Sequence, residues 1–186
     1  MSRRNIFPTR KKSISLICPK CGNVIDKWTI ESHVELISNH FVMEPEISFN
    51  YNNTLLECKS DYHEPVSVNP IIINSKLANI VSILIRKNYK VLSGILAAGH
   101  SESEINIYNS YGSTMMMMSL ASFMNKSKYW TVKNNFNIAP STTVVSITYN
   151  NKDEDISKEA IEDLERIVKD IPTIEELPNN SRFAYY

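Results

Sequence analysis

The sequence predicts an α+β protein, and three observations carry that prediction. Two segments, near residues 75–87 and 157–169, repeat apolar residues at helical spacing. Short runs of β-branched and aromatic residues lie before and between them. A CPKCG turn at Cys18–Gly22, with a third cysteine at position 58, sets the N-terminal part apart from a more apolar remainder.

The chain has 186 residues, 42% of them hydrophobic, which is enough for a packed core and one or two small domains. Its 20 basic and 20 acidic residues cancel, so it lacks the excess positive charge of a general nucleic-acid-coating protein. No apolar h-region follows the basic start, and the longest apolar stretches, around Ile71–Ile73 and Ile80–Ile85, are far short of a membrane span. A cytoplasmic protein without a membrane segment is therefore expected. Only four glycines are present, so few positions adopt positive φ cheaply and an elaborate phosphate-cradling loop is not expected.

Residues 1–12 carry Arg3, Arg4, Arg10, Lys11 and Lys12 and read as a mobile basic arm. Ser13 to Ile17 alternates as a short strand, and Val24–Ile30 reads as its return after the CPKCGN turn. Glu31 to Asn39, with Val34 and Ile37 on one side, suggests a short helix. Ile47, Phe49 and Tyr51 alternate, Asn52-Asn53 supplies a turn, and Thr54–Cys58 forms the second arm of a hairpin. The composition changes near Pro65–Pro70, which places a boundary between a module at 13–66 and an α/β body at 67–172.

In the body, Leu77, Ile80, Val81, Leu84 and Ile85 form the inward stripe of a helix capped by Asn74 or Ser75. Tyr89–Leu92 begins a strand, and Ile105, Ile107 and Tyr108 suggest another. Met115 to Met118 is ambiguous by periodicity. A buried strand is preferred, with a helix reaching Met124 as the rival, and the methionines serve as adaptable core filler. Thr143 to Tyr149 is a β-branched strand. Ser157 caps a helix to about Lys169, with Ile161, Leu164, Ile167 and Val168 inward and Pro172 as its stop. Residues 173–186 form a tail ending in aromatic residues. The expected architecture is a small mixed sheet with two main helices.

The cysteines carry the chemistry. An odd count with a CxxC pair suits metal ligation better than a disulfide scaffold. A tight CxxC turn presents two thiolates to one tetrahedral ion, and Gly22 after the second supplies a positive φ that turns backbone N–H groups towards sulfur. Cys58-Lys-Ser-Asp61-Tyr-His63-Glu64 supplies the other half. His63 has the better chemistry for a thiolate-rich site, and Asp61 has the usual knuckle spacing. The expected set is Cys18, Cys21, Cys58 and His63, with Asp61 as the alternative fourth ligand, around one structural Zn2+. Residues 13–66 would then be a zinc-ribbon-like module packed on the body.

A thioredoxin-like redox pair is the main rival for CPKC. It needs the first thiolate at a helix start, and Gly22-Asn-Val-Ile-Asp26 does not read as one. Gly94 to Ser101 matches a P-loop's glycine spacing, but His100 stands where the phosphate-binding lysine must be. His100 with Glu102 and Glu104 remains a possible ligand site at a strand end. No nucleophile–base–acid set emerges, so no catalytic residue is assigned.

Cys18-Pro-Lys-Cys21-Gly22, Cys58 through Glu64, Leu84 through Lys90, Gly99-His100 and the acidic helix Ala160–Lys169 together carry a resemblance. The chain resembles a group of uncharacterised phage and Gram-positive bacterial proteins. These have a zinc-ribbon-like N-terminal part and a "GYKT–SCSGH"-type core segment. Ala97-Ala98 replaces that group's cysteine before Gly-His, so no reaction through such a thiol is expected. The resemblance implies a fold and a source rather than an activity.

The leading functional expectation is a zinc-containing binding protein without catalysis, a phage-encoded accessory or host-interaction factor whose partner is another protein. A small-ligand binder or enzyme around His100 is the first alternative. The second, less favoured, is a nucleic-acid binder using the metal module and the basic arm.

Overall fold

The computed structural model describes residues 10–32, 34–37, 40–43, 55–92, 104–109, 114–139, 142–151 and 156–177. It is an α+β protein whose described strands fall into four antiparallel sheets, where a small mixed sheet was expected for the body. The first strand, β1 (Arg10–Ile17), is central to a three-stranded sheet between β2 (Val24–Ser32) and β7 (Ile71–Asn74). Two separate hairpins follow β2. One pairs β3 (Val34–Ile37) with β4 (His40–Met43), and the other pairs β5 (Leu56–Ser60) with β6 (His63–Val68).

The helix expected over 31–39 is not formed: β2 continues to Ser32, and Val34–Ile37 is a strand. Val-Glu-Leu-Ile alternates with period two as well as it matches a single helical turn, and the cross-strand partners Val34↔Met43 and Leu36↔Phe41 decide for the strand. His40 opens β4. The alternating residues 47–51 lie outside the described residues, as do residues 1–9 of the basic arm and residues 178–186 of the tail. The described partner of β5 is the downstream strand β6, through Leu56↔Val68 and Cys58↔Val66, in a segment with no strand reading of its own.

The body is built around a four-stranded sheet in the order β10 (Trp130–Ala139), β11 (Thr142–Tyr149), β9 (Glu104–Asn109) and β8 (Val91–Leu92). Helix α1 (Ala78–Arg86) follows a 3-10 turn at Ser75–Leu77, in which Asn74 Oδ1 accepts from the Lys76 amide at 3.0 Å. Helix α3 (Lys158–Asp170) is capped by Ser157, whose Oγ accepts from the Ala160 amide at 3.2 Å. A third helix, α2 (Thr114–Met124), occupies the methionine run for which a buried strand was expected. Among its described side chains Met116, Leu120 and Met124, four apart, are the buried ones, so the core reads one helical stripe; unbranched methionine loses little rotamer freedom there.

One core joins these parts. Ile80, Val81 and Leu84 of α1, Leu164 and Ile167 of α3, Ile105 and Ile107 of β9, and Val145 and Ile147 of β11 meet in it, with Ile17 of β1 and Ile71 and Ile73 of β7. Trp130 is fully buried in it, with Nε1 donating to the Ala160 carbonyl at 2.8 Å and its ring 5.3 Å from that of Tyr149. The β1–β7 pairing, Ile14↔Asn74 to Ile17↔Ile71, joins strands on either side of the expected 66/67 boundary. It sets the CPKCG turn directly beside α1.

Candidate metal centre

The first half of the centre is the turn between β1 and β2. Ile17 anchors it in the core; the Cys18 amide donates to the Asn23 carbonyl, and the Gly22 amide to the Cys18 carbonyl, each at 2.9 Å. Gly22 has φ +75 and lies so close to α1 that a Cβ there would stand 2.7 Å from the Ser82 carbonyl oxygen. Ser82 Oγ donates to the Gly22 carbonyl. Arg86, one turn further along α1, donates from Nε to the Cys21 carbonyl at 3.2 Å and from its terminal nitrogen to Asn23 Oδ1 at 3.0 Å. The body thus holds three consecutive residues of the turn, and Cys18 and Cys21 are both buried.

The second half comes from the hairpin β5–β6. Ser60 pairs with His63, which leaves Asp61 and Tyr62 as an exposed two-residue turn. Ser60 Oγ accepts from the Tyr62 amide and from Asn23 Nδ2, both at 3.1 Å, so it braces the turn and ties it to the first half. Cys58 is buried and His63 half-buried. The Arg86 guanidinium lies 5.2 Å over the Tyr62 ring, so one side chain touches both halves.

The Sγ atoms of Cys18, Cys21 and Cys58 and a ring nitrogen of His63 all lie within 4.8 Å of one another. Cys21 Sγ is 3.8 Å from Cys58 Sγ, and Cys18 Sγ is 3.5 Å from His63 Nε2. Nδ1 of His63 lies 2.7 Å from the Glu64 carbonyl oxygen. A carbonyl only accepts, so Nδ1 carries a proton, and in the neutral ring the lone pair is on Nε2, facing the sulfurs. Three thiols and one oriented imidazole can hold a metal ion. Asp61 is outside this group, on the exposed turn.

The clustered thiols and imidazole shift one another's protonation. Burial, reinforced by the neighbouring Cys18 and Cys21 sulfurs, pushes the Cys58 thiol up to about 12. Burial also acts upward on Cys21, but the Asn23 amide and hydrogen bonds from Ser60, Cys18 and His63 outweigh it and bring the thiol down to about 7. The hydrogen bond to the Glu64 carbonyl, followed by those to Cys18 and Cys21, raises the His63 ring to about 9. With no metal, a proton on the imidazole supplies the positive charge. A bound cation would replace it and favour all three thiolates.

The strand at Val24–Ser32 bears on the redox reading of CPKC. No helix starts behind these thiols to lower a pKa through its N-terminus. Of the other candidate site residues, Glu104 opens β9 opposite Thr148, while His100 and Glu102 lie outside the described residues, as does the glycine-spaced segment 94–101. No helix of the described residues is long and apolar enough to cross a membrane. Set against known protein families, curated proteins and solved structures, the chain matches none.

Proposed function

We propose that Cys18, Cys21, Cys58 and His63 bind one structural zinc ion, and that the protein is a non-catalytic binding protein presenting its zinc-held module to another protein. The supporting observation is the spacing of the donors. Zinc–sulfur bonds of about 2.3 Å and a zinc–nitrogen bond of about 2.0 Å in a tetrahedron imply a sulfur–sulfur edge of about 3.8 Å and a sulfur–nitrogen edge of about 3.5 Å. In the protein the Cys21–Cys58 edge is 3.8 Å and the Cys18–His63 edge 3.5 Å, and all four donor atoms lie within 4.8 Å of one another. Four protein donors leave no open position for a water or a substrate, which is the arrangement of a structural rather than a catalytic zinc.

The binding reading is supported by where apolar surface is left. Among the described residues, Val24, Leu55 and Tyr62 belong to this module and are three of the four large apolar side chains that stay exposed, Met118 being the fourth. Isolated exposed apolar residues are ordinary, but their concentration around a small metal-held element suits a contact surface. A phage-encoded accessory or host-interaction role rests on the sequence resemblance alone.

Elemental analysis of the protein purified reduced and without chelator tests the zinc. One zinc per chain is expected, lost in Cys18→Ser and His63→Ala and kept in Asp61→Ala. Loss in Asp61→Ala with retention in His63→Ala would reverse the fourth ligand. A turnover activity abolished by changing His100 would overturn the non-catalytic reading.

A further inference from the structure

We infer that the metal acts as a local clasp: it fastens the hairpin β5–β6 to a body that stays folded without it. The inference rests on the zinc reading above and goes beyond it by assigning what the ion does to the molecule. The two halves of the centre are held very differently. The CPKCG turn is fixed from the body by β1 pairing with β7, by Gly22 against Ser82 and by Arg86 on the Cys21 carbonyl. The hairpin carries no residue of the main core. Its buried side chains, Cys58 and Val68, belong to a separate cluster with Cys18 and Cys21, against which Ile25 and Val66 pack.

Beyond the donor atoms and that small apolar cluster, the hairpin is tied to the rest by the Asn23–Ser60 hydrogen bond and by Arg86 over Tyr62. The hydrogen bond is only partly buried and the Tyr62 ring is exposed, so each adds a modest net contribution. A two-stranded hairpin is at best marginally stable in water, and Asn69-Pro70 alone separates β6 from β7. With the ion removed, three sulfurs and an imidazole lose the centre that joins them. The hairpin then has little apolar burial to keep it docked, whereas the main core loses no member.

Hydrogen exchange of the full-length reduced protein, with metal content measured on the same samples, tests this. The metal-loaded protein is compared with chelator-stripped protein and with Cys58→Ser. The amides of residues 56–68 should exchange at least about tenfold faster in both metal-free forms, while those of α1, α3 and β11 keep their protection. Acceleration that spreads to α1, α3 and β11 would make the ion a condition for the whole fold and overturn the clasp. Unchanged protection of 56–68 in metal-free protein would overturn it equally. Both outcomes leave the zinc reading intact, whereas protein that neither contains nor takes up zinc would remove the two together.

Discussion

Gly22 illustrates how much one residue position decides. The CPKCG turn is recognisable in the sequence because two thiolates on one tight loop need a residue that tolerates positive φ behind them, and the structure gives Gly22 φ +75. The second demand on Gly22 is invisible in the sequence: the turn abuts α1 at Ser82, sixty positions away, so closely that a Cβ has no room. Gly22→Ala should therefore cost about 1–3 kcal/mol in urea denaturation, combining the αL penalty with a clash against backbone. A loss below about 0.5 kcal/mol would mean that the turn does not sit against α1 as described. Legibility at the other half of the centre depends on the same distinction between local and long-range facts. Donor chemistry and knuckle spacing in the sequence leave His63 and Asp61 as rivals. The fold points His63 Nε2 at the sulfurs because Ser60 pairs with His63, and that register follows from the Asp61–Tyr62 turn. Nothing in the sequence ties Arg86 to the centre, and its role as a bridge between the halves appears only once α1 lies beside them.

Among the elements, those with strong periodicity and their own caps were legible. Helices α1 and α3 follow apolar stripes, Asn74 capping the 3-10 turn that leads into α1 and Ser157 capping α3, and β11 follows its β-branched run. The misreadings fall where the local pattern is degenerate. Four methionines in a row have no period, and the choice between strand and helix belongs to the packing of Met116, Leu120 and Met124. The distinction is measurable because the two structures sort the residues differently: a strand would place Met118 and Leu120 on one face, whereas the helix buries Leu120 and leaves Met118 58% exposed. Leu120→Ala should cost about 2–5 kcal/mol and Met118→Ala no more than about 0.5 kcal/mol, by the shift in urea midpoint. Equal losses would contradict the helical stripe. The strand β6 was missed for a related reason. His-Glu-Pro-Val-Ser-Val contains a proline and little apolar alternation, and it is held as a strand by its pairing with β5.

At the scale of the whole molecule, the protein is an α+β body with a metal-ready module set against α1. The module joins the body through β1, whose pairing with β7 carries the three-stranded sheet across the composition shift at Pro65–Pro70. Composition registers the change in surface character there but not a strand pairing between distant segments, so the continuity of the sheet is unreadable from the sequence. The same placement puts the rigid half of the centre on the body and the other half on a hairpin with its own small apolar cluster. X-ray absorption at the zinc edge of the full-length, reduced protein tests the central claim most directly. The account predicts a shell of three sulfurs at about 2.3 Å and one nitrogen at about 2.0 Å, without a bound water. A shell of two sulfurs completed by oxygen donors, or an absence of zinc from the protein, would contradict it.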